Sequence, residues 1–376
     1  MCIRDRLTGV LFLHQALAVA TGPLAGDIDR LTREDSFEGL AEVKAALVAL
    51  ARNLVEQEVS APQILELVSY INNDIYRRML RLILIEMQAE GVGPPPLAFD
   101  AIVMGSGGRG ESYLFPDQDN GFILEDYPDE RHDEVDRWFV DCADRMTRRL
   151  DAFGFPLCKG GVMATNPLWR KSLSQWRAQL RVWMRKVHPA MLLSADIFFD
   201  FRPVFGRGEH AQELRRFITA EVPKHPVFLR EIFGIQAEHR AGVGLFNRFI
   251  TEKQDARHRG QVNLKMMGTL PLAEAVRLMA LMAGIAETGT LARLAALKAG
   301  GRLPAAEADD LAAAFELITG LQLRQQLADH ARGEPLSTFV DPHELSERER
   351  QGLKAGFHAI NACRARLRAE LTGQLV

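Results

Sequence analysis

Residues 101–126 read AIVMGSGGRGESYLFPDQDNGFILED. Ala101 to Met104 is a short apolar run that ends in a glycine-rich turn, Gly105 to Gly110. Asp117 and Asp119 follow with one residue between them, and Gly121 to Leu124 continues as apolar sequence. Two carboxylates two residues apart on a strand point to the same face. Hard-oxygen ligands on one face, beside a turn rich in backbone N–H groups, suit Mg²⁺ (or Mn²⁺) and a bound polyphosphate.

A competing pattern has to be excluded first. Gly105, Gly107 and Gly110 also satisfy the dinucleotide fingerprint G-x-G-x-x-G, which requires a long helix to start at the turn. Pro116 arrives six residues after Gly110, and Asn120-Gly121 is a further turn signal. No long helix fits between Gly110 and Asp117, so a Rossmann unit is not expected. A glycine-rich hairpin with solvated aspartates remains the structural alternative for this segment taken alone.

Outward from this stretch, the rest of the chain is mostly helical in pattern. Leu40, Val43, Leu47, Leu50 and Leu54, then Ile64, Val68, Ile71, Ile75 and Leu80, recur at helical spacing. Gly91 to Pro96 breaks the pattern before the first strand. Val135, Trp138, Phe139, Cys142, Met146 and Leu150 form another helix stripe. Residues 154–169 read as a loop, in which Asn166 caps or bonds the backbone and Trp169 fills core. Leu173 to Val187 is a further amphipathic helix, with Ser172 as its cap. Residues 195–202 alternate and read as a strand with Asp196, Asp200 and Arg202 on one face. After about Phe217 the chain is helical, with turns near Gly289, Gly300-Gly301 and Gly320, and with Thr288 and Thr290 as candidate caps. This suits a helical bundle.

The chain has 376 residues, 47% hydrophobic and 25% charged, with a formal net charge of −3. That is a globular composition with room for about two or three domains. No basic stripe points to nucleic acid; the basic run from Arg177 to Lys186 lies on an amphipathic helix and reads as a solvated face. Cys2, Cys142, Cys158 and Cys363 are scattered without a C-x-x-C pair, so neither a disulfide framework nor a zinc site is expected. A reduced cytoplasmic compartment fits. No apolar run reaches the ~18 residues of a membrane span. Leu7 to Pro23 is apolar after two arginines, but His14-Gln15 interrupts it and it reads as a helix rather than a signal peptide. The opening residues do not look like a natural start, and a stretch upstream is expected to be missing.

The glycine turn followed by Asp-x-Asp resembles the signature of the nucleotidyltransferase superfamily related to DNA polymerase β. GSGGRGE (105–111), DQDNG (117–121), CKGGVMATNPLW (158–169) and VNLKMMGTLPLAEAVRLMAL (262–281) resemble, more closely, the DUF294 nucleotidyltransferases, bacterial relatives of the uridylyltransferase that modifies the PII signalling protein. The resemblance runs from roughly Ile64 to the end. It implies an α+β fold: a small mixed-sheet nucleotidyltransferase core over residues 93–215, flanked by an N-terminal helical region (1–92) and a C-terminal helical, substrate-binding domain (216–376).

The resemblance also implies a reaction, metal-dependent transfer of a nucleoside monophosphate from a nucleoside triphosphate such as ATP to a hydroxyl of a protein or small molecule, in signalling. Asp117 and Asp119 are the expected metal ligands. A third carboxylate from a later strand is expected at Asp200, with Asp196 as the fallback, and Asp200 also as a base; the alternative is an exposed Asp200–Arg202 pair. Gly105, Ser106 and Gly107 let the chain approach the triphosphate. Arg109 either pairs with phosphate or with Glu111, and Lys159 is either a second phosphate contact or a solvated loop lysine. Asn263 replaces the usual Asp of the family's Asp-Leu-Lys, and Lys265 either reaches the nucleotide or sits in a surface salt bridge. The competing function is a nucleotide-binding sensor with little turnover, since relatives carry cyclic-nucleotide-binding and CBS domains upstream; a helical scaffold with a vestigial site is the third. A homodimer through the N-terminal helices is the expected assembly.

Overall fold

The computed structural model describes residues 36–185, 189–236 and 239–373. The helix expected over Leu7 to Pro23 lies outside them. Helix α1 (Phe37–Glu56) starts where the Ser36 hydroxyl accepts from Gly39 N–H at 3.1 Å, an N-cap that satisfies one orphan donor. Its stripe of Leu40, Val43, Leu47, Leu50 and Leu54 is buried against α2 (Ala61–Ala89), whose Ile64, Val68, Ile71 and Ile75 face back. Lys44 is buried within this pair: its ammonium donates to Asn72 Oδ1 and Leu114 O, both at 2.9 Å, and lies 4.0 Å from the Phe155 ring centre. Burial pushes its pKa down to about 7. The two helices are thus fastened to the segment that leads into Asp117.

The four-stranded sheet has the order β3-β2-β1-β4, where β1 is Phe99–Val103, β2 Asn120–Leu124, β3 Arg170–Ser172 and β4 Arg202–Phe205. β1 pairs antiparallel with β2 and β4, and β2 pairs parallel with β3, so the sheet is mixed. Alternation along β1 and β2 sends side chains to two cores. Phe99, Ala101, Val103, Phe122 and Leu124 meet α2 and α4 (His132–Ala152). Ile102 and Ile123 meet Trp169, Trp176 and Phe198 and the C-terminal helices. Both strands are therefore buried throughout. Between β1 and β2 lies the short helix α3 (Gly105–Arg109).

Helix α5 (Leu173–Arg185) begins at the expected Ser172, with a reciprocal partner: Gln175 N–H donates to Ser172 Oγ at 3.4 Å and Ser172 N–H to Gln175 Oε1 at 3.0 Å. The strand expected over residues 195–202 is not there. Helix α6 (Pro189–Phe198) runs through its first half, residues 199–200 turn, and β4 starts at Arg202. Leu192, Ala195, Phe198 and Phe199 are buried at helical spacing, and the ring of Phe198 stacks on Trp176 at 4.4 Å. A helical stripe and a two-residue alternation overlap here, and burial of the aromatic rings settles which period prevails.

The C-terminal half contains α7 (Glu209–Glu221), α8 (Pro226–Ile235), a short hairpin of β5 (Val262–Asn263) with β6 (Phe339–Val340), and then α9 (Leu270–Met282), α10 (Thr290–Ala299), α11 (Ala305–Arg332) and α12 (Glu347–Thr372). The turn expected at Gly320 is instead the middle of α11, where the glycine passes the Ala61 methyl of α2. Leu323 and Leu327 of α11 complete the core of α1 and α2, so the C-terminal half also braces the N-terminal helices. Thr290 does not cap α10: the cap is Gly289, without a side-chain bond. No described helix is long and apolar enough to cross a membrane.

Among the described glycines the least room is at Gly108 of α3, where a Cβ would stand 1.5 Å from Asp200 O and 2.9 Å from Val103 O. At Gly107 the nearest atom would be at 3.6 Å, ordinary contact. Gly108→Ala is expected to lower the melting temperature by roughly 10 °C, an overpacking cost of ~3 kcal/mol, and Gly107→Ala by no more than about 2 °C. Thermal unfolding followed by circular dichroism checks this; equal small shifts would contradict the close approach.

Candidate functional site

Asp117 and Asp119 stand immediately before β2 rather than within it, but the segment alternates as a strand does. Gln118 and Asn120 point inward and are buried; Asp117 is exposed and Asp119 half-buried. The inward residues hold the segment. The Gln118 amide donates to Thr147 O at 3.0 Å and Phe155 O at 2.9 Å. Asn120 Oδ1 accepts from Ala164 N–H at 2.9 Å. On the backbone, Met104 N–H donates to Asp119 O at 2.9 Å, which sets Asp119 beside the start of α3.

The glycine turn closes over this carboxylate. Gly105 has φ +56°, and a Cβ there would lie 2.8 Å from Asp119 Oδ2; only glycine accepts both the left-handed backbone and the contact. The first helical bond of α3 is Gly108 N–H to Met104 O at 3.1 Å, so the amides from Gly105 to Gly107 precede it. Gly107 itself faces Val103 and Ser112, toward the interior. Asn72, Asn73 and Tyr76 of α2 share a narrow cleft with Asp117, Asp119 and Gly107, of about 20 Å³, room for little more than a water.

Burial raises the Asp119 pKa to about 6, and repulsion from Asp117 adds to this, against the pull of a Cys158 thiol hydrogen bond and of the Lys265 and Arg109 charges. Burial and Asp119 in turn push the Cys158 thiol up. A pair of close carboxylates, one half-desolvated, with no cation of the described residues in direct contact, is arranged for a positive ligand. Two carboxylates plus phosphate oxygens are an ordinary ligand set for Mg²⁺, so these residues fit that ion. Among the described residues no group of three or more His, Cys, Asp or Glu side chains converges as a metal site.

Asp200, expected as the third metal ligand and base, is corrected by the structure. It lies on the turn between α6 and β4, fully buried. Its Oδ2 accepts from Arg109 at 2.8 Å and Arg277 at 2.5 Å, and Arg293 faces Oδ1 at 2.6 Å. Burial alone would raise its pKa, but Arg277, Arg293 and Arg109 together hold it well below the usual carboxylate range. A fully buried carboxylate shared by three guanidiniums is already charge-compensated without a metal and has no tendency to take up a proton. The fallback, Asp196, is paired with Arg277 and Gln236. Arg109, the expected phosphate ligand, also bonds Glu111 at 2.6 Å, so the ion-pair alternative describes it.

With two acids beside a glycine turn on a small mixed sheet, the comparison with known families is decisive. Residues 45–190 match the family model described as Putative nucleotidyltransferase DUF294, and residues 226–371 match the Putative nucleotidyltransferase substrate binding domain, DUF294_C. The chain belongs to the DUF294 family. No curated protein matches it.

Other motifs of this DUF294 protein find their places. Lys159 is exposed on the loop beside Cys158. Asn166 does bond the loop, accepting from Leu168 N–H at 3.0 Å and donating to Gly161 O at 3.1 Å, and Trp169 is core. Asn263 Oδ1 accepts from Met266 N–H and Thr338 Oγ1, both at 3.0 Å; the position is used as an acceptor, which asparagine supplies as well as aspartate. Lys265 is exposed and close enough to Asp119 to lower its pKa. Sequence reasoning missed Gly108, the α2 residues Asn72, Asn73 and Tyr76, and the Cys158 contact. Only the last carried a signal, its place in the CKGGVM motif.

Removing one partner from a buried ion network leaves the others unpaired and costs about 3–5 kcal/mol. Asp200→Asn is therefore expected to lower the melting temperature by roughly 10 °C, while Asp117→Asn leaves it nearly unchanged. A stable Asp200→Asn protein in thermal denaturation would restore Asp200 to the functional candidates.

Asp119 has a folded pKa of about 6, above its ordinary value of 3.8. The folded state then binds more protons between those values, and stability falls as pH rises through that window. Asp119→Asn is expected to raise the melting temperature by ~2–5 °C at pH 8 and by much less at pH 4. A pH-independent difference between the two proteins would remove the assigned shift.

Proposed function

We propose that this protein transfers a nucleoside monophosphate from a nucleoside triphosphate to a hydroxyl group, with Asp117 and Asp119 holding a divalent cation, Mg²⁺ or Mn²⁺. The observation that carries the reading is the closeness of Asp119 Oδ2 to Gly105, where a Cβ would lie 2.8 Å from it, with Asp117 on the same side of the segment. It brings two hard-oxygen ligands to the backbone N–H groups that begin α3.

In such a transfer the acceptor oxygen bonds to the α-phosphorus, its O–H bond breaks with the proton passing to water, and the bond to pyrophosphate breaks, with negative charge growing on the phosphate and leaving oxygens. A divalent cation bound by the two carboxylates supplies charge neutralisation for those oxygens. The chain's own contribution is placement. Gly105 and Ser106 offer amides without a side chain in the way, and Gln118 and Asn120 keep the acids from turning inward. Lys265 and Lys159 are exposed cations near this rim and are the residues we assign to the triphosphate. The cleft behind the acids is too small for a nucleotide, so the donor lies across the outer side, over Asp117. The acceptor, a protein or a small molecule, enters from the same side.

One observation favours a second reading, a nucleotide sensor with little turnover. Asp200 and Asp196 are withdrawn into ion pairs, and the described residues supply no third acid to the pair. A site with two carboxylates can bind a metal–triphosphate complex and still lack a base.

The test is release of pyrophosphate from each of the four nucleoside triphosphates with Mg²⁺. Asp117→Asn combined with Asp119→Asn is expected to reduce it at least ~100-fold, the scale of losing a charge-stabilising group, with the circular dichroism spectrum unchanged. Metal-dependent binding without pyrophosphate release would select the sensor reading; undiminished turnover in the double variant would sink the metal assignment.

A further inference from the structure

A second charged hollow lies between β4, α7 and Thr288. It has a volume of about 450 Å³ and is lined by Arg202, Arg215, Arg216, Gln212, Pro203 and Thr288. Three of its side chains are cations and no carboxylate lines it. The neighbouring cavity, which shares Arg202 and Thr288, is lined by Glu66, Glu111, Glu287 and Glu316 against Arg109 and Arg202, and so does not favour an anion.

Arg215 is the unusual member. Its guanidinium donates to Phe199 O and Phe201 O, both at 2.8 Å, and lies 4.0 Å from the Phe201 ring. Among the described residues it has no carboxylate in contact. Burial, and the nearby charges of Arg293 and Arg202, push its pKa down to about 9, and only Asp200 opposes them. Asp200 is already shared by Arg109, Arg277 and Arg293. The two carbonyls take one N–H from each terminal nitrogen of Arg215; the N–H groups left over, beside the exposed Arg216 on α7, are donors suited to a phosphate. The hollow is also large enough for a group of several heavy atoms rather than a single ion.

We propose that this arginine-lined hollow is a second ligand site, separate from the acidic pair, that takes a small phosphorylated anion. Arg216 contacts the phosphoryl oxygens from the rim and Arg215 from the wall. The site adjoins the scaffold of the glycine turn: Thr288, which lines it, donates its hydroxyl to Gly108 O at 2.9 Å, and the two carbonyls that Arg215 holds flank Asp200 in sequence. A ligand here therefore binds residues that fix α3, and it does so whether or not the acidic pair transfers nucleotides.

Pyrophosphate, titrated calorimetrically into the full chain in metal-free buffer, is the probe, with citrate as the polycarboxylate control. Saturable pyrophosphate binding is expected, weakened by roughly tenfold or more in Arg216→Glu, the size of one charge-assisted contact. Gln212→Glu, which keeps every arginine and adds a negative charge on an exposed position, is expected to weaken it similarly. Asp117→Asn with Asp119→Asn is expected to leave it unchanged. The proposal is overturned by absence of binding, by binding indifferent to both α7 variants, by loss of binding in the aspartate double variant, or by citrate binding as tightly as pyrophosphate.

Discussion

The structure depends on one buried carboxylate. Asp200 is fully enclosed and is met by guanidiniums from three elements: Arg109 of α3, Arg277 of α9 and Arg293 of α10. Desolvating a carboxylate is expensive, and only close, well-directed cations offset it. Because those cations come from both halves of the chain, the ion cluster holds the glycine turn against the C-terminal helices. Glu111 repeats the tie at shorter range, accepting from Arg109 and from Thr290 N–H at the start of α10, both at 2.6 Å. Gly108 leaves no side chain between α3 and the Asp200 carbonyl. The position of α3 is therefore set by charge pairing behind it.

The acidic pair is held by the opposite device, neutral hydrogen bonds with no cation of the described residues in contact. Gln118 donates to backbone carbonyls of α4 and of the loop after it, and Asn120 Oδ1 accepts from the Ala164 amide, and each outward residue inherits its direction from the inward one beside it. Asp119 is left half-buried next to Asp117, at the cost of a raised pKa. An electrostatic cost of this kind retained at one point is the usual mark of a site built to bind something positive. The two acids that are neutralised inside the protein, Asp196 and Asp200, and the two that are not, are thus sorted by whether the fold places an arginine against them.

Much of this was legible in residues 36–185. The stripes of α1, α2, α4 and α5 follow the 3.6-residue period, Ser172 announces α5, and the Asp-x-Asp alternation survives although the pair lies just outside β2. Residues 195–202 were misread because their aromatic residues satisfy two periods at once, and only the packing of Phe198 on Trp176 distinguishes them. Gly320 was misread as a turn because glycine serves close helix contact as well as it serves turns. Thr288 was misread as a cap because its hydroxyl bonds a carbonyl 180 residues away in sequence.

What the sequence determined by itself is local: the helices, the glycine turn, and the two carboxylates on one side of an extended segment. These follow from steric and hydrophobic periods that act over a few residues. What only the tertiary structure decided is the fate of each charge. Arg109 precedes Asp200 by 91 residues and Arg277 follows it by 77. Nothing local brings them together. Coulomb attraction falls with distance and desolvation depends on what surrounds a group, so whether an aspartate is a buried strut or an open ligand is settled only when the chain has folded.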